Sequence, residues 1–376
     1  MLEPSNGGSV LHSRGRAWLT LAAFAGLVLG LLLAFSGRSE AASAHKSKQT
    51  SSKTVKVALI LKTFSNPYFV SMENSAKADA KKLGVQLEVS AGKIDGDTAT
   101  QITAIDNAIA AGDQGIIITS NGNAVNSALA KARKAGIYTI ALDTAPIPAS
   151  AVNITYATDN TEAGKLDGEW AAKKLDGKPA VIALLDLFNN QVVSVDVDRD
   201  HGFLEGMGIP VGNPNLNGKE PSSGHYHGLK GGSGTYQIAC QLPTQGAIPT
   251  GKSAMQTCLQ KNPKINLVYA INEPAGEGAA EALKQVGSKA ILVAIDGGCS
   301  NLPYLADGEI GATAGQFPYK MAADGIDAIY KLVTKHVKPA TSAGLGFFNT
   351  GTELYTNHPE PGVPSIDVAK AKKVCW

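Results

Sequence analysis

Residues 55–90, VKVALILKTFSNPYFVSMENSAKADAKKLGVQLEVS, contain the pattern from which the fold class follows. This stretch has a short apolar run at 55–61, a longer segment with helical character at 67–83 and a second short run at 85–90. The first run is almost continuously apolar, which is typical of a strand whose sheet is covered on both faces. The stretch therefore predicts a strand, a helix and a second strand that runs parallel to the first.

The same alternation continues along the chain and then starts again. In the first series, helices are expected at 98–111 and 124–135, and strands at 115–120 and 137–142. After 153–158 a second series follows, with helices at 161–175, 195–207, 251–261 and 275–286 and strands at 180–187, 236–242, 266–271 and 290–295. The Gly-, Pro-, Ser- and Asn-rich segment 208–234 is expected to be a surface excursion. The fold class is therefore α/β, with two lobes that are each a doubly wound parallel sheet.

Length and composition agree with two domains and restrict the ligand class. The chain has 376 residues, of which 44% are apolar and 18% are charged, so it can bury large cores. It carries 34 basic and 32 acidic side chains, for a formal net charge of +2. This balance creates no strong field for nucleic acid or an acidic membrane surface. A neutral small molecule is the expected ligand, and no nucleic-acid partner is expected.

The first residues have the pattern of an export signal. Arg14 and Arg16 precede an apolar run at 17–35, and small residues follow at 41–44. This order predicts a signal peptide within 1–44, followed by a polar linker at 45–53. The apolar run is also long enough to remain as an uncleaved membrane anchor. In either case the protein is expected to be exported, to the periplasm or the outer face of the cytoplasmic membrane.

The cysteines are expected to form disulfides. The chain has four, Cys240, Cys258, Cys299 and Cys375. An oxidising compartment favours pairing, although four cysteines allow three connectivities. We hypothesise a Cys240–Cys258 bond between a strand and its following helix, and a Cys299–Cys375 bond between the tail and a sheet edge. The spacings do not suit a zinc site, and neither a metal nor a cofactor is expected.

Polar and aromatic side chains follow the predicted strands in both lobes. Ligands of open parallel sheets bind outside the carboxyl ends of the strands, so these residues are the binding candidates. They are Asn66, Tyr68, Phe69, Asp143, Asn272, Asp296 and Gln316. Carboxylates and amides pair with hydroxyl groups, and aromatic rings pack on the apolar face of a sugar. Each residue alone is also typical of a helix cap, a turn or a core position, but their occurrence in both lobes favours a polyhydroxylated ligand.

Several motifs give the sequence a specific resemblance. They are SNPYF (65–69), GIIITSNG (115–122), TIALDT (139–144), ATDN (157–160), AINEPAGEGAAEAL (270–283), AIDGG (294–298) and GQFP (315–318). In order and spacing they resemble the ribose-binding-protein-like periplasmic sugar-binding family over roughly 55–354. The motifs LLDL, VSVDVDR followed by HGF, INEPA and DGGC look most like its fructose-binding branch. The resemblance implies a type I periplasmic binding protein that captures a monosaccharide and delivers it to the permease of an ABC importer.

The resemblance also implies roles for individual residues. The seven strand-end residues would contact the ligand, with Lys62, Asp186 and Arg199 as further candidates. The chain departs from the ribose-binding pattern at Thr144, where that pattern has an arginine. In the second lobe, the ligand-binding arginine of the ribose-binding pattern falls near Val197 of this chain, and Arg199 lies two residues further on. Both departures count against ribose as the ligand and leave the sugar open.

The expected domain organisation follows from the same resemblance. Lobe 1 would comprise 54–157 and 316–345, and lobe 2 would comprise 158–315 and 346–362. Residues 363–376 would form a C-terminal tail. The chain would cross between the lobes near 157–160, 314–316 and 344–347, which makes a multi-strand hinge. A monomer is expected.

Three other functions are compatible with some features of the sequence. A glycosidase could use Asp143 and Asp296 as its acid and base, but these carboxylates come from lobes that must separate for ligand entry, and no hydrolase motif is present. No catalytic residue is therefore expected. A sensor that presents the sugar to a membrane receptor would use the same site, so it stays open. A repressor would need a helix-turn-helix where this chain has an export signal.

Overall fold

The computed structural model describes residues 54–376. The export segment expected at 1–44 and the linker expected at 45–53 lie outside the described residues. Within 54–376, no helix combines the length and the apolar character needed to cross a lipid bilayer.

The described residues alternate between strands and helices through most of their length. The strands are β1 (Lys56–Leu61), β2 (Gln86–Ala91), β3 (Gly115–Ile118), β4 (Tyr138–Leu142), β5 (Ile154–Ala157), β6 (Ala180–Asp186), β7 (Ser223–His227), β8 (Ser233–Pro243), β9 (Leu267–Ala270), β10 (Ile291–Asp296), β11 (Ala312–Gly315), β12 (Phe348–Asn349) and β13 (Glu353–Tyr355). The α-helices are α1 (Pro67–Leu83), α2 (Thr98–Ala111), α3 (Asn126–Lys134), α4 (Asn160–Leu175), α5 (Ser194–Gly206), α6 (Ile248–Lys261), α7 (Glu273–Gln285), α8 (Leu302–Ala306), α9 (Pro318–Lys335) and α10 (Val368–Ala371).

The strands form two sheets with the same winding. The first has the order β12-β5-β4-β3-β1-β2, and its strand pairs are parallel. The second has the order β13-β11-β10-β9-β6-β8-β7, with an antiparallel pair at each edge. In both sheets the first strand of the series lies inside the sheet: β1 lies between β2 and β3, and β6 lies between β8 and β9. This is a doubly wound order, and its reversal point is where ligands bind in such sheets. The predicted fold class of two α/β lobes is confirmed.

The helices that follow the central strands begin with side-chain caps. The Asn66 side chain accepts a hydrogen bond from the backbone N–H of Tyr68, and Pro67 occupies the first turn of α1. In the second lobe, Asn272 accepts from the N–H of Ala275 in the same way at the start of α7. Such caps satisfy backbone donors that would otherwise lack a partner. They also fix these polar residues at the strand ends.

Helices α4 and α5 pack at very short range because glycines face the neighbouring backbone. A Cβ atom on Gly164 would lie 2.2 Å from the carbonyl oxygen of Arg199, and one on Gly202 would lie 2.2 Å from that of Thr161. One turn further along each helix, Gly168 and Gly206 make the same kind of contact. Only glycine allows this approach, which sets the position of α5 and of its side chains.

The structure adds one strand and moves one crossing relative to the expected chain path. Within the segment 208–234, expected to be a surface excursion, Ser223–His227 forms strand β7, which pairs with β8. Its side chains are mostly exposed because it lies at the sheet edge, so it lacks an apolar signature. Strand β12, within the 346–362 range expected for lobe 2, pairs with β5 of the first sheet. The third crossing therefore follows Asn349, later than the expected one at 344–347.

Two disulfides are present in the described part of the chain. Cys240 of β8 is bonded to Cys258 of α6, and Cys299 is bonded to Cys375. These are the two bonds hypothesised from the sequence. The second holds the tail against the end of β10, next to the cleft between the lobes.

Candidate ligand-binding site

The cleft between the lobes contains a cavity at the carboxyl ends of both sheets. Its walls are Lys62, Asn66, Tyr68, Phe69, Asp95, Asp143, Leu187, Val195, Arg199, Ile271, Asn272 and Asp296. The free volume between these walls is about 30 Å³, which is room for about one water molecule. Walls from both lobes thus lie close together around a small polar space.

Asp143 is the carboxylate that the first lobe contributes. It directly follows β4, and its φ of 60° is a left-handed conformation that aspartate tolerates better than most residues. Its Oδ1 accepts hydrogen bonds from the Tyr68 hydroxyl at 3.0 Å and from Arg199 Nη2 at 3.3 Å. Its Oδ2 accepts from Thr144 Oγ1 at 2.8 Å and lies 3.9 Å from Lys62 Nζ. Donors from both lobes thus converge on one side chain.

Arg199 of α5 is the cation that the second lobe contributes. Its Nε donates to Asn160 Oδ1 at 2.7 Å and its Nη1 donates to the carbonyl oxygen of Ile271 at 3.1 Å. The Nη1 atom also lies 3.9 Å from Asp296 Oδ1. Burial opposes its charge, but the carboxylates of Asp143 and Asp296 raise the pKa of the guanidinium above its ordinary value. Arg199 is therefore a fixed and permanently charged donor.

Asp296 is the carboxyl group opposite Asp143. It is the last residue of β10, and its Oδ1 accepts a hydrogen bond from Gln316 Nε2 at 2.9 Å. Burial raises the pKa of Asp296 well above its usual range, and the nearby Arg199 opposes this shift. Gln316 does not line the cavity, but its backbone N–H also donates to the Asp296 carbonyl at 2.7 Å. Gln316 thus orients Asp296 rather than forming a wall of the cavity.

Two aromatic residues of the first turn of α1 add apolar surface to the polar cavity. The rings of Tyr68 and Phe69 meet edge to face, with centroids 5.3 Å apart. Burial and the neighbouring Asp143 raise the pKa of the Tyr68 hydroxyl well above its ordinary value, so it stays a neutral donor. Lys62 Nζ lies 5.9 Å from the centroid of the Phe69 ring. Ring faces and hydrogen-bonding groups therefore line the same cavity.

One candidate residue lies away from the cavity. Asp186 ends β6, and its Oδ2 accepts a hydrogen bond from Gln241 Nε2 at 2.8 Å. Burial and the neighbouring Asp196 raise the pKa of Asp186 well above its usual range. Asp186, which was expected to reach the ligand, does not line this cavity, and its carboxyl group is buried within the second lobe. Lys62 and Arg199, the other two further candidates, do line the cavity.

The predictions from the sequence omit three residues that belong to the site or lie beside it. Asp95 lines the cavity from the loop after β2, so the rule that selects residues at strand ends could have found it. Asn160, at the start of α4, orients Arg199; it ends the ATDN motif, but that motif gives no indication of a contact with Arg199. Trp376 stands beside the site on the tail, where strand positions give no guidance.

The two lobes touch each other across the cleft. Besides the pair of Arg199 and Asp143, Ser194 Oγ donates to the carbonyl oxygen of Ala145 at 2.7 Å. Asn123 Nδ2 donates to the carbonyl oxygen of Val192 at 3.2 Å. Each of these contacts joins the first lobe to the loop before α5 or to α5 itself. The structure therefore represents a closed arrangement of the lobes.

Known proteins share this architecture. The model of a periplasmic binding protein domain matches residues 57–336. The ribose import binding protein RbsB of Escherichia coli is 25% identical over 279 residues, which cover 74% of this chain and 84% of that protein. The galactofuranose-binding protein YtfQ of Escherichia coli is 28% identical over 268 residues, 69% of this chain and 76% of that protein.

Solved structures give the same result for the fold. A galactofuranose binding protein has a TM-score of 0.68 and 24% identity, covering 85% of this chain and 97% of its own. A periplasmic solute binding protein of an ABC transporter from Actinobacillus succinogenes, solved with D-allose, has a TM-score of 0.67 and 23% identity and covers 85% of this chain and 100% of its own. Since the family model spans most of the chain and the fold agrees, this chain belongs to the periplasmic binding protein family.

Proposed function

We propose that this protein is an extracytoplasmic solute-binding protein that captures one monosaccharide and delivers it to an ABC importer. One observation carries the proposal: a closed cavity in which Asp143 of the first lobe and Asp296 of the second lie on either side of Arg199. Lobes that each supply part of a site bind a ligand fully only when they close. Such closure suits capture and release rather than catalysis.

The balance of charges supports a neutral, polyhydroxylated ligand. The cations Lys62 and Arg199 each lie within 3.9 Å of a carboxyl group of the same cavity, so neither is left free to pair with an anionic ligand. Sugar hydroxyls can donate to carboxylates and accept from Arg199, Lys62 and Asn272. The ring of Phe69 and the side chains of Leu187 and Ile271 offer apolar surface for the C–H groups of the sugar.

The identity of the sugar is a finer proposal. Motifs in the second lobe favour a fructose-like ligand, and Thr144 after Asp143 counts against ribose. Ribose, allose and galactofuranose stand in the names of the similar proteins, so D-ribose, D-allose and D-galactose belong in the same panel. The export pattern at 1–44 supports delivery outside the cytoplasm.

A thermal-shift panel tests the proposal. The purified protein is heated with D-fructose, D-ribose, D-allose and D-galactose, and with glucose 6-phosphate and glycine as charged controls. A ligand that binds only the folded state stabilises it by mass action and so raises the melting temperature. At a ligand concentration of about one hundred times Kd, the stabilisation is about 2.7 kcal/mol. At least one neutral sugar should raise it and the charged compounds should not. A shift with glycine or the phosphate ester alone would refute the proposal.

Asp296→Ala is the matching variant. It removes a buried, hydrogen-bonded carboxyl group, worth about 1.5–3 kcal/mol, and should weaken binding of the selected sugar about tenfold to hundredfold. Asp106→Ala is the control, because Asp106 pairs with Lys131 on the exposed surface of the first lobe. Calorimetric titration measures the sugar affinity of both variants, and circular dichroism checks that both are folded. Wild-type affinity in a folded Asp296→Ala protein would place the ligand elsewhere.

A further inference from the structure

Trp376 contacts both lobes beside the ligand cavity. Its indole Nε1 donates a hydrogen bond to the backbone carbonyl oxygen of Asp296 at 3.2 Å, in the second lobe. Its ring meets the ring of Tyr68, in the first lobe, edge to face with centroids 5.2 Å apart. Asp296 and Tyr68 are both walls of the cavity. One side chain therefore bridges the lobes through two residues of the site.

The rest of the tail belongs to the second lobe. Cys375 is bonded to Cys299, and the N–H of Cys299 donates to the carbonyl oxygen of Trp376 at 2.9 Å. Val368 and Ala371 of α10 are buried in the core of that lobe. The Trp376 ring instead packs against the core of the first lobe. The disulfide thus anchors the tail on one lobe while the indole reaches the other.

Trp376 also lines the larger cleft outside the cavity. This cleft has a volume of about 560 Å³, and it shares Asn66, Asp95 and Asp296 with the inner cavity. Shared walls make it the outer side of the ligand space. A ligand that leaves in this direction passes the bridge between Trp376 and Tyr68.

We infer that Trp376, held by the Cys299–Cys375 disulfide, is a positioning residue that keeps the lobes closed and slows ligand release. The contact with Tyr68 exists only when the lobes are together, so it favours the closed form over the open one. An edge-to-face aromatic pair, together with the area that it buries, shifts the equilibrium between the closed and the open form by about tenfold. The effect falls on the dissociation rate, since the open form that admits the ligand lacks the contact. The inference rests on the proposed function for its ligand, and one arm of its test needs no sugar.

The kinetic test uses D-fructose, with D-ribose and D-allose in parallel, on the full chain in stopped flow. Trp376→Ala should raise the dissociation rate about tenfold and leave the association rate within about twofold, and Trp376→Phe should restore most of the slow release. The double variant Cys299→Ser with Cys375→Ser should release as fast as Trp376→Ala. Trp170→Phe is the control: Trp170 is buried in the second lobe, so this variant should lower the melting temperature without changing release. Unchanged release in a folded Trp376→Ala protein would overturn the inference.

The second arm separates this inference from the proposed function. Small-angle scattering without sugar should give a larger radius of gyration for Trp376→Ala than for the wild type, because the variant loses a contact of the closed form. Equal radii of gyration in the variant and the wild type would count against the contact of Trp376 with both lobes, whatever the ligand is. If none of the sugars binds the wild type while the radii differ, the proposed ligand class fails and the bridge stands.

Discussion

At the scale of single residues, the site depends on side chains that have both a structural and a binding role. Asn66 and Asn272 cap helices and also line the cavity. The local preference of asparagine for helix starts thereby places an amide at the carboxyl end of a strand. Sequence reasoning finds such residues because the position of each one is set by its own strand and helix.

Residues placed by distant parts of the chain could not be found in that way. Asn160 reaches Arg199 only because α4 and α5 pack together, and Trp376 reaches Tyr68 only through a disulfide and a closed cleft. Asp186 shows the opposite case, since it follows a strand but its carboxyl group is held inside the lobe by Gln241. The strand-end rule gives the position of a residue and not the direction of its side chain.

Glu273 makes a residue-scale prediction about pH. Its Oε2 accepts hydrogen bonds from the N–H of Gly298 and from Asn301 Nδ2, and its Oε1 accepts from Thr313 Oγ1. Burial raises the pKa of Glu273 from 4.5 to about 7, against the lowering effect of these bonds. The folded state therefore holds the proton more tightly than the unfolded chain. Its contribution to stability is present below about pH 4.5 and is lost as the pH rises to about 7.

The substitution Glu273→Gln should remove this loss of stability at higher pH. The variant should match the wild type near pH 4.5 and be more stable at pH 8 by up to about 3 kcal/mol. Urea unfolding at both pH values measures the difference. Glu281→Gln on the same helix is the control, since Glu281 is an exposed partner of Lys252. An unchanged pH dependence in Glu273→Gln would contradict the assignment of this titration to Glu273.

At the scale of elements, the packing of α4 against α5 positions the binding cation. Arg199 lies one turn before Gly202, whose missing side chain allows the backbone of α4 to approach. Any β-carbon there must move α5, and with it the guanidinium that joins Asp143 to Asn160. The glycine is thus part of the site although it touches no ligand.

Gly202→Ala should lower both stability and affinity. Its Cβ would lie 2.2 Å from the carbonyl oxygen of Thr161, and overpacking of this kind costs about 1–3 kcal/mol. Affinity for the selected sugar should fall about tenfold because Arg199 is displaced. Gly346→Ala, where no atom lies within 4 Å of the added carbon, is the matched control. Denaturant unfolding measures the stability of each variant, and calorimetry measures its affinity for the sugar. A Gly202→Ala protein with the stability and affinity of the control would contradict the role of this helix contact.

The elements themselves were predictable wherever they are buried. Strands such as β1 and β10 are apolar runs, and their helices carry caps, so both appear in the sequence. Strand β7 was missed because four of its five residues are exposed at the sheet edge, where the pattern of an interior strand is absent. The short strand β12 was assigned to the wrong lobe because two residues of pairing leave no periodicity.

At the scale of the whole molecule, the proposed function requires two lobes that hold one ligand between them. The chain passes between the two sheets after β5, after β11 and again between β12 and β13. Short crossings of this kind permit the lobes to rotate about a hinge. The polar contacts across the cleft join residues of opposite lobes, so they form together on closure. Sequence repetition predicted the two lobes, but only the structure reveals which atoms meet between them.

Small-angle scattering of the wild-type protein measures whether the lobes close on the ligand. The radius of gyration is measured without ligand and then with the neutral sugar that gives the largest thermal shift, at a concentration that calorimetry shows to be saturating. Closure of the lobes on the ligand predicts a smaller radius in the saturated protein. An unchanged radius at saturation would contradict the account, because the sugar would then bind without bringing Asp143 and Asp296 together.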